Sequence, residues 1–340
     1  MFGAGREGPV CSAGTEDDMR AKGVHRVELA AIALVVGTGV GGCVGASGTG
    51  LCGDAVEAPT VDDPGARPIA FTSNRSGSFD LWLMGADGSD PAQLTDSDGA
   101  EGMAAWSPDG TRLAFVAAAE LEEPGDICVV EADGTGMRNL TDTVGVGEIA
   151  PAWSPDGDRI AFSTLRGDDT EVHVMDSDGG NSRRLASDGA WPSWAPDGSR
   201  LAFSASHGHG VERLWTIGSD GSGEAVLAER ATAASQPAFS PDGQWIAFSS
   251  STGDSDSDDP VEWDEDVFVM PADGGSARSV TSLPGNEHWP SSWSPDGAHL
   301  AVTSDGEENV GEIVLVDLAT LETTNLTGND AHDAFPAWRR

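Results

Sequence analysis

The chain has 340 residues and carries 18 Lys plus Arg against 57 Asp plus Glu, a formal charge of −39. A chain of that sign excludes electrostatic capture of nucleic acid or of an anionic membrane by the molecule as a whole. Hydrophobic residues at 38% and charged residues at 22% are too apolar a mixture for a disordered polyanion, and 45 glycines point to many turns.

Residues 1–18 are acidic and without periodicity, and read as an extension ahead of a start at Met19. Residues 19–42 run from a basic stretch (Arg20, Lys22, Arg26) through the apolar run 29–36 to small residues, the order of a secretory signal. The apolar run is too short for the ~20 residues of a membrane span. It ends in Val40-Gly41-Gly42-Cys43, which resembles the lipobox of bacterial lipoproteins and so implies a lipid on Cys43. The expected location is extracytoplasmic, in the bacterial cell envelope at the periplasm or cell surface, with membrane contact only through that anchor. Residues 43–65, rich in Gly, Ala, Asp and Pro, read as a flexible tether. With Cys11 and Cys43 in this region, Cys52 and Cys128 remain far apart, so no disulfide framework is expected and Cys128 reads as a small strand residue.

From residue 66 to 340 the chain repeats. WSPDGTRLAF begins at Trp106, WSPDGDRIAF at Trp153, WAPDGSRLAF at Trp194, FSPDGQWIAF at Phe239 and WSPDGAHLAV at Trp293, with spacings of 47, 41, 45 and 54 residues. That period suits one four-stranded propeller blade. In Ser-Pro-Asp-Gly, proline presets the first central turn position and glycine supplies a positive φ, so a strand ending at the aromatic (a) folds back into LAF or IAF (b). Asp109, Asp156, Asp197, Asp242 and Asp296 therefore read as structural turn residues. A second half, such as DLWLMGADGSDPAQLT from Asp80, recurs six times and supplies strands c and d around an Asp-Gly turn. The first strand, at 66–73, lacks a preceding a strand, and AFPAWRR at the end is an a strand without a b strand. The expected fold is all-β: a six-bladed propeller of four-stranded antiparallel blades, closed by the C-terminal strand pairing with the N-terminal blade. Closure leaves no open sheet edge and suits a monomer.

The WSPDGxxLAF hairpin with the VMDxDGG-type strand pair resembles the propeller repeat (PD40, WD40-like) of the TolB family over residues 66–340. The resemblance implies an envelope protein that binds a protein partner through its propeller. The additional N-terminal α/β domain of TolB itself has no counterpart ahead of residue 66, so a TolB-like member other than TolB is expected. Propellers of prolyl-oligopeptidase type are also similar, but the chain holds no G-x-S-x-G and no catalytic residue is assigned.

The a–b and c–d hairpins share one end of the ring and are nearly uniform; the b–c and d–a connections share the other and vary, which points to the latter as the recognition face. Five residues before the strand-a aromatic stand Glu101, Glu148, Gly189, Ala234, His288 and Asp333. Equivalent ring positions converge on the axis, so Glu101, Glu148, His288 and Asp333 are expected to line the channel mouth and hold a divalent cation or cationic partner groups; the plainer alternative is a solvated acidic rim. Asp254, Asp256, Asp258, Glu262 and Glu265 follow the carboxylate spacing of a calcium loop, although Asp259 stands where its glycine belongs. His207 and His209, separated by one glycine in a loop, are candidate ligands of a transition metal if a third ligand comes from another blade, against the plainer reading of an exposed loop. The expected function is non-catalytic binding of an envelope protein, peptide or other envelope component, with no cofactor required. The alternatives are a metal-dependent lyase or hydrolase working at the channel, and a sensory or structural ectodomain that binds Ca²⁺.

Overall fold

The computed structural model describes residues 67–340 apart from 120–123, 168, 209–210, 228–232, 252–264, 282–287 and 306–309, and at 251, 265 and 288–291 only the backbone is described. Six four-stranded antiparallel sheets stand in a ring, each with its strands in the order a, b, c, d. The innermost strands are Asp333–Trp338, Ala100–Trp106, Gly147–Trp153, Ala190–Trp194, Ser235–Phe239 and His288–Trp293, in blades 1 to 6. Among the described residues no helix is long and apolar enough to cross a membrane.

Blade 1 joins the two ends of the repeat array as the sequence implies. Asp333–Trp338 pairs antiparallel with Ile69–Ser73, in the register Ile69↔Trp338 and Ser73↔Asp333. The seam carries further bonds: Arg339 donates its amide to Pro68 O at 2.7 Å and His332 its amide to Asn74 Oδ1 at 2.8 Å. Arg75 forks onto both Asp333 oxygens at 2.8 and 2.9 Å.

The hairpins form for the reasons their residues suggest. In the first, Asp109 accepts from the Ser107 hydroxyl at 2.6 Å and from the Thr111 amide at 3.0 Å, while Ser107 Oγ accepts the Arg112 amide at 2.9 Å. Asp156, Asp242 and Asp296 repeat the serine contact; Asp197 does not, because Ala195 replaces that serine, and it holds Ser199 instead. In the c–d turns the glycine is also a close-approach residue: a Cβ at Gly88 would lie 2.4 Å from Leu326 O of the neighbouring blade. The apolar faces of b and c pack between blades. Leu81, Leu83, Leu113 and Phe115 fill the 1/2 junction, and each such burial contributes about 1.5–3 kcal/mol.

The expectation about cysteine is corrected. Cys128, fully buried in strand c of blade 2, is disulfide-bonded, its partner lying outside the described residues. Separation along the sequence does not decide such a pairing; proximity of the two sulfurs in space does.

Candidate functional site: the axial pocket

Three of the four residues assigned to the channel mouth do not meet there. Glu101, Glu148 and Asp333 are 1%, 2% and 0% exposed and lie in separate junctions between neighbouring blades. The cause is visible in the backbone. Glu101 N–H donates to Phe79 O at 2.7 Å and Glu148 N–H to Gly125 O at 2.8 Å, so each strand a begins docked on the previous blade, beside the first residue of that blade's strand c. Glu101 thereby lies against Asp80, and Glu148 against Asp126. Burial, then the neighbouring carboxylates Asp80 and Asp96, push the Glu101 carboxyl up to about 7 against partial relief from the Thr95 and Ser97 hydroxyls, and neither oxygen has a hydrogen bond of ordinary geometry. Burial and Asp126 push Glu148 up to about 8; it accepts one hydrogen bond, from Thr141 Oγ1 at 3.1 Å. Asp333 differs because Arg75 neutralises it. His288 opens strand a of blade 6, a backbone placement only.

The residues that do reach the axis stand two positions further along. Met103, Ala150, Trp191, Gln236 and Phe335 occupy ring-equivalent positions with φ of 54°, 53°, 57°, 52° and 52°. Each sits where the a–b register shifts, a bulge that breaks the in–out alternation. A left-handed non-glycine residue costs on the order of 1–3 kcal/mol and persists only where its surroundings over-determine it. Those surroundings are a hydroxyl from the preceding blade: Met103 N–H donates to Thr72 Oγ1 at 3.2 Å, Trp191 to Ser163 Oγ at 2.9 Å, Gln236 to Ser204 Oγ at 3.1 Å and Phe335 to Thr303 Oγ1 at 2.9 Å. For Ala150 of blade 3 the equivalent acceptor position, in blade 2, is filled by Val116, and no such bond forms.

Blades 1 and 4 are opposite one another, and their axial residues meet. The Trp191 and Phe335 rings stack with centroids 6.4 Å apart and planes 15° from parallel. Both rings line the axial cavity, which lies towards the Ser-Pro-Asp-Gly end and has a volume of about 220 Å³. Its walls are the strand-a aromatics, Trp106, Trp153, Trp194, Phe239, Trp293 and Trp338, with prolines such as Pro151 and Pro237 between them. Trp106, Trp194 and Trp293 each tie their Nε1–H to a strand-a carbonyl of the preceding blade at 2.9–3.2 Å, which fixes the ring of indoles. Arg112, Arg159 and Arg339 stack on Trp153, Trp194 and Trp106 at 4.7, 4.8 and 5.3 Å, bracing those walls by cation–π contact. In blade 5 the stacking arginine is replaced by Trp245, 40% exposed at the same end of the ring.

Of the remaining expected site residues, His207 is the one described with its side chain. His207 lies between two carboxylates, Nε2 3.1 Å from Glu224 and Nδ1 3.8 Å from Asp188, and edge-on to Trp215 at 4.2 Å. His209, Asp254, Asp256, Asp258 and Glu262 lie outside the described residues, as does Cys43, and Glu265 is placed only as the first residue of strand c in blade 5. Among the described residues no group of three or more His, Cys, Asp or Glu side chains is arranged to hold a metal ion.

Residues 98–257 match the TolB beta propeller domain. The ring as a whole is similar to TolB of Acinetobacter baumannii, with a TM-score of 0.68 at 21% identity over 82% of this chain and 68% of that one. It is similar to hydrazine synthase of Kuenenia stuttgartiensis (0.64, 15% identity, 81% of this chain and 46% of that one). Oligogalacturonate lyase of Vibrio parahaemolyticus gives 0.51 at 15% identity, over 76% and 73%. At these identities the likeness is one of fold, and TolB-type propellers share it with enzymes. No curated protein matches the sequence.

Proposed function

We propose that this TolB-type propeller is a non-catalytic binding module of the cell envelope that recognises an envelope protein, peptide or other envelope component, and that it does so at the Ser-Pro-Asp-Gly end. The carrying observation is the axial pocket, built from five left-handed residues that the ring pays strain to hold. Perturbed backbone at equivalent positions of every blade but one marks a place shaped for something other than blade stability. The loop end, by contrast, presents carboxylates that are spent on junctions between blades. The sequence order of basic stretch, apolar run and Cys43 supports an exported, lipid-anchored protein, and the disulfide at Cys128 fits an oxidising compartment.

The test is photo-cross-linking in cells with a benzophenone side chain placed at Trp245 on the hairpin end, and separately at Val144, 97% exposed in a d–a connection at the opposite end. A discrete adduct at Trp245 that is absent at Val144, and absent when Trp191 is replaced by Ala in a protein that still folds, is the expected outcome. Equal adducts at both positions would remove the assignment to this face.

A further inference from the structure

The chemistry of the axial pocket is opposite to that of the chain around it. The molecule carries 57 acidic side chains, yet no carboxylate side chain lines the cavity. Its polar side chains are Gln236, Ser193, Ser292 and Arg340. Gln236 is 6% exposed, and its Nε2 is buried with no hydrogen-bond partner. A buried amide left unpaired costs about 1–3 kcal/mol, so a group that supplied the missing acceptor would recover that energy on binding. Ser193 Oγ and Ser292 Oγ each accept one backbone amide, from Phe239 at 3.2 Å and Trp338 at 2.9 Å, and their hydroxyl protons are committed to nothing among the described residues. Arg340 forms no ion pair among the described residues. Although the residue as a whole is exposed, desolvation of its guanidinium lowers its pKa, as expected for a cation turned towards the indole-lined mouth.

Donors therefore predominate among the uncommitted polar side-chain atoms, with Gln236 Oε1 an acceptor beside them, set in a wall of indole, phenyl and proline rings. A cationic ligand has no carboxylate side chain to meet there, and a purely apolar one leaves Gln236 unpaired. The volume, below the ~300–1,000 Å³ of pockets for drug-sized molecules, suits one flat ring with a short acidic arm. The ring would stack among Trp106, Trp194 and Trp293, with the stacked Trp191 and Phe335 beside it. We infer that the axial pocket binds a small apolar carboxylate, an aryl acid or the free C-terminal aromatic residue of a peptide, with Gln236 and Arg340 receiving the carboxylate. This rests on the hairpin end being the binding face and adds the ligand class.

The probes are phenylacetate and indole-3-acetate, with phenylacetamide as the uncharged match, phenethylammonium as the cationic one and acetate as the ringless one. Titration calorimetry and thermal shift on the full chain are expected to show the two aryl acids binding and raising Tm, the amide at least tenfold weaker, and the cation and acetate silent. Gln236→Leu should weaken the acids tenfold or more; Arg340→Gln, at an exposed residue whose replacement leaves the ring intact, should erase the preference for acid over amide. A peptide ending in free Phe, against the same peptide amidated, separates a chain terminus from a free acid as the source. Equal binding of acid, amide and cation, acid binding unchanged in both variants, or no binding at millimolar concentration overturns the ligand class. If the Trp245 adduct forms under those same conditions, the binding face stands and only the ligand class falls; if that adduct is missing too, both fall.

Discussion

Arg75 and Asp333, 258 residues apart, close the ring: the guanidinium forks onto a carboxylate that is fully buried, at 2.8 and 2.9 Å, while its own plane lies over Phe71 and Trp82 at 5.0 and 4.9 Å. Removing one partner of a buried pair leaves an uncompensated charge, which costs about 3–5 kcal/mol. Arg75→Leu is expected to lower the urea midpoint by the equivalent of roughly 3 kcal/mol, whereas Arg112→Leu, which loses only a cation–π contact at 4.7 Å, should cost about 1. Deleting residues 334–340 should expose an unpaired strand and cause aggregation. Equal effects of the two arginine changes would mean the seam is not held electrostatically.

The two acid junctions give a pH dependence of definite sign. Glu101 and Glu148 are raised to about 7 and 8 in the folded protein, against ~4.3 unfolded, so the native state binds more protons than the unfolded state between those values. Stability from these groups is therefore full below ~4.3, falls as pH rises to about 8, and is flat beyond. Urea titrations at pH 5 and pH 8.5 should differ by at least ~2 kcal/mol in wild type, and the difference should largely vanish in Glu101→Gln/Glu148→Gln, which keeps the shape without the charge. A variant with the wild-type slope would place the proton uptake elsewhere.

The hairpin aspartates act in the other direction. The Ser107 hydroxyl and the Thr111 amide hold Asp109 down at about 2, and Asp156, Asp197, Asp242 and Asp296 are lowered by similar local bonds. Their contribution is present above the unfolded value of ~3.9 and is lost as pH falls through the folded one. Asp109→Ala should cost about 1 kcal/mol at pH 7 and progressively less below pH 3, read by thermal melts.

The cysteines make a joint prediction. If the chain is cleaved before Cys43 and that thiol is acylated, Cys52 is the one cysteine left to pair with Cys128. Non-reducing peptide mapping of mature protein should show that link, and acyl-probe labelling should disappear in Cys43→Ser while the link persists. A Cys43–Cys128 link in the mature protein would exclude the anchor.

Blade number, hairpins and closure were legible because each rests on local chemistry: proline and glycine in WSPDG, alternation in LAF, and two incomplete ends. The site was misjudged by counting back from the aromatic as though strand a alternated without interruption. It does not, since the bulge at Met103, Ala150, Trp191, Gln236 and Phe335 turns a residue inward and leaves Glu101 and Glu148 between blades. A signal was present. Proline follows the left-handed residue at Pro151, Pro192, Pro237 and Pro336, and proline inside a strand marks a bulge. The hydroxyl after LAF or IAF, as at Ser163 and Ser204, is a second trace of the same geometry. The pairing of Trp191 with Phe335 was not legible, because 144 residues separate them and only the six-fold ring makes them opposite.

That stacked pair joins blades 1 and 4 across the axis, so the pocket belongs to the whole ring and to no single blade. A change in how any one blade seats is felt at the centre, where opposite sides of the molecule touch. The variable loops stand outside that contact, free to drift over evolution while the indole-lined centre is held.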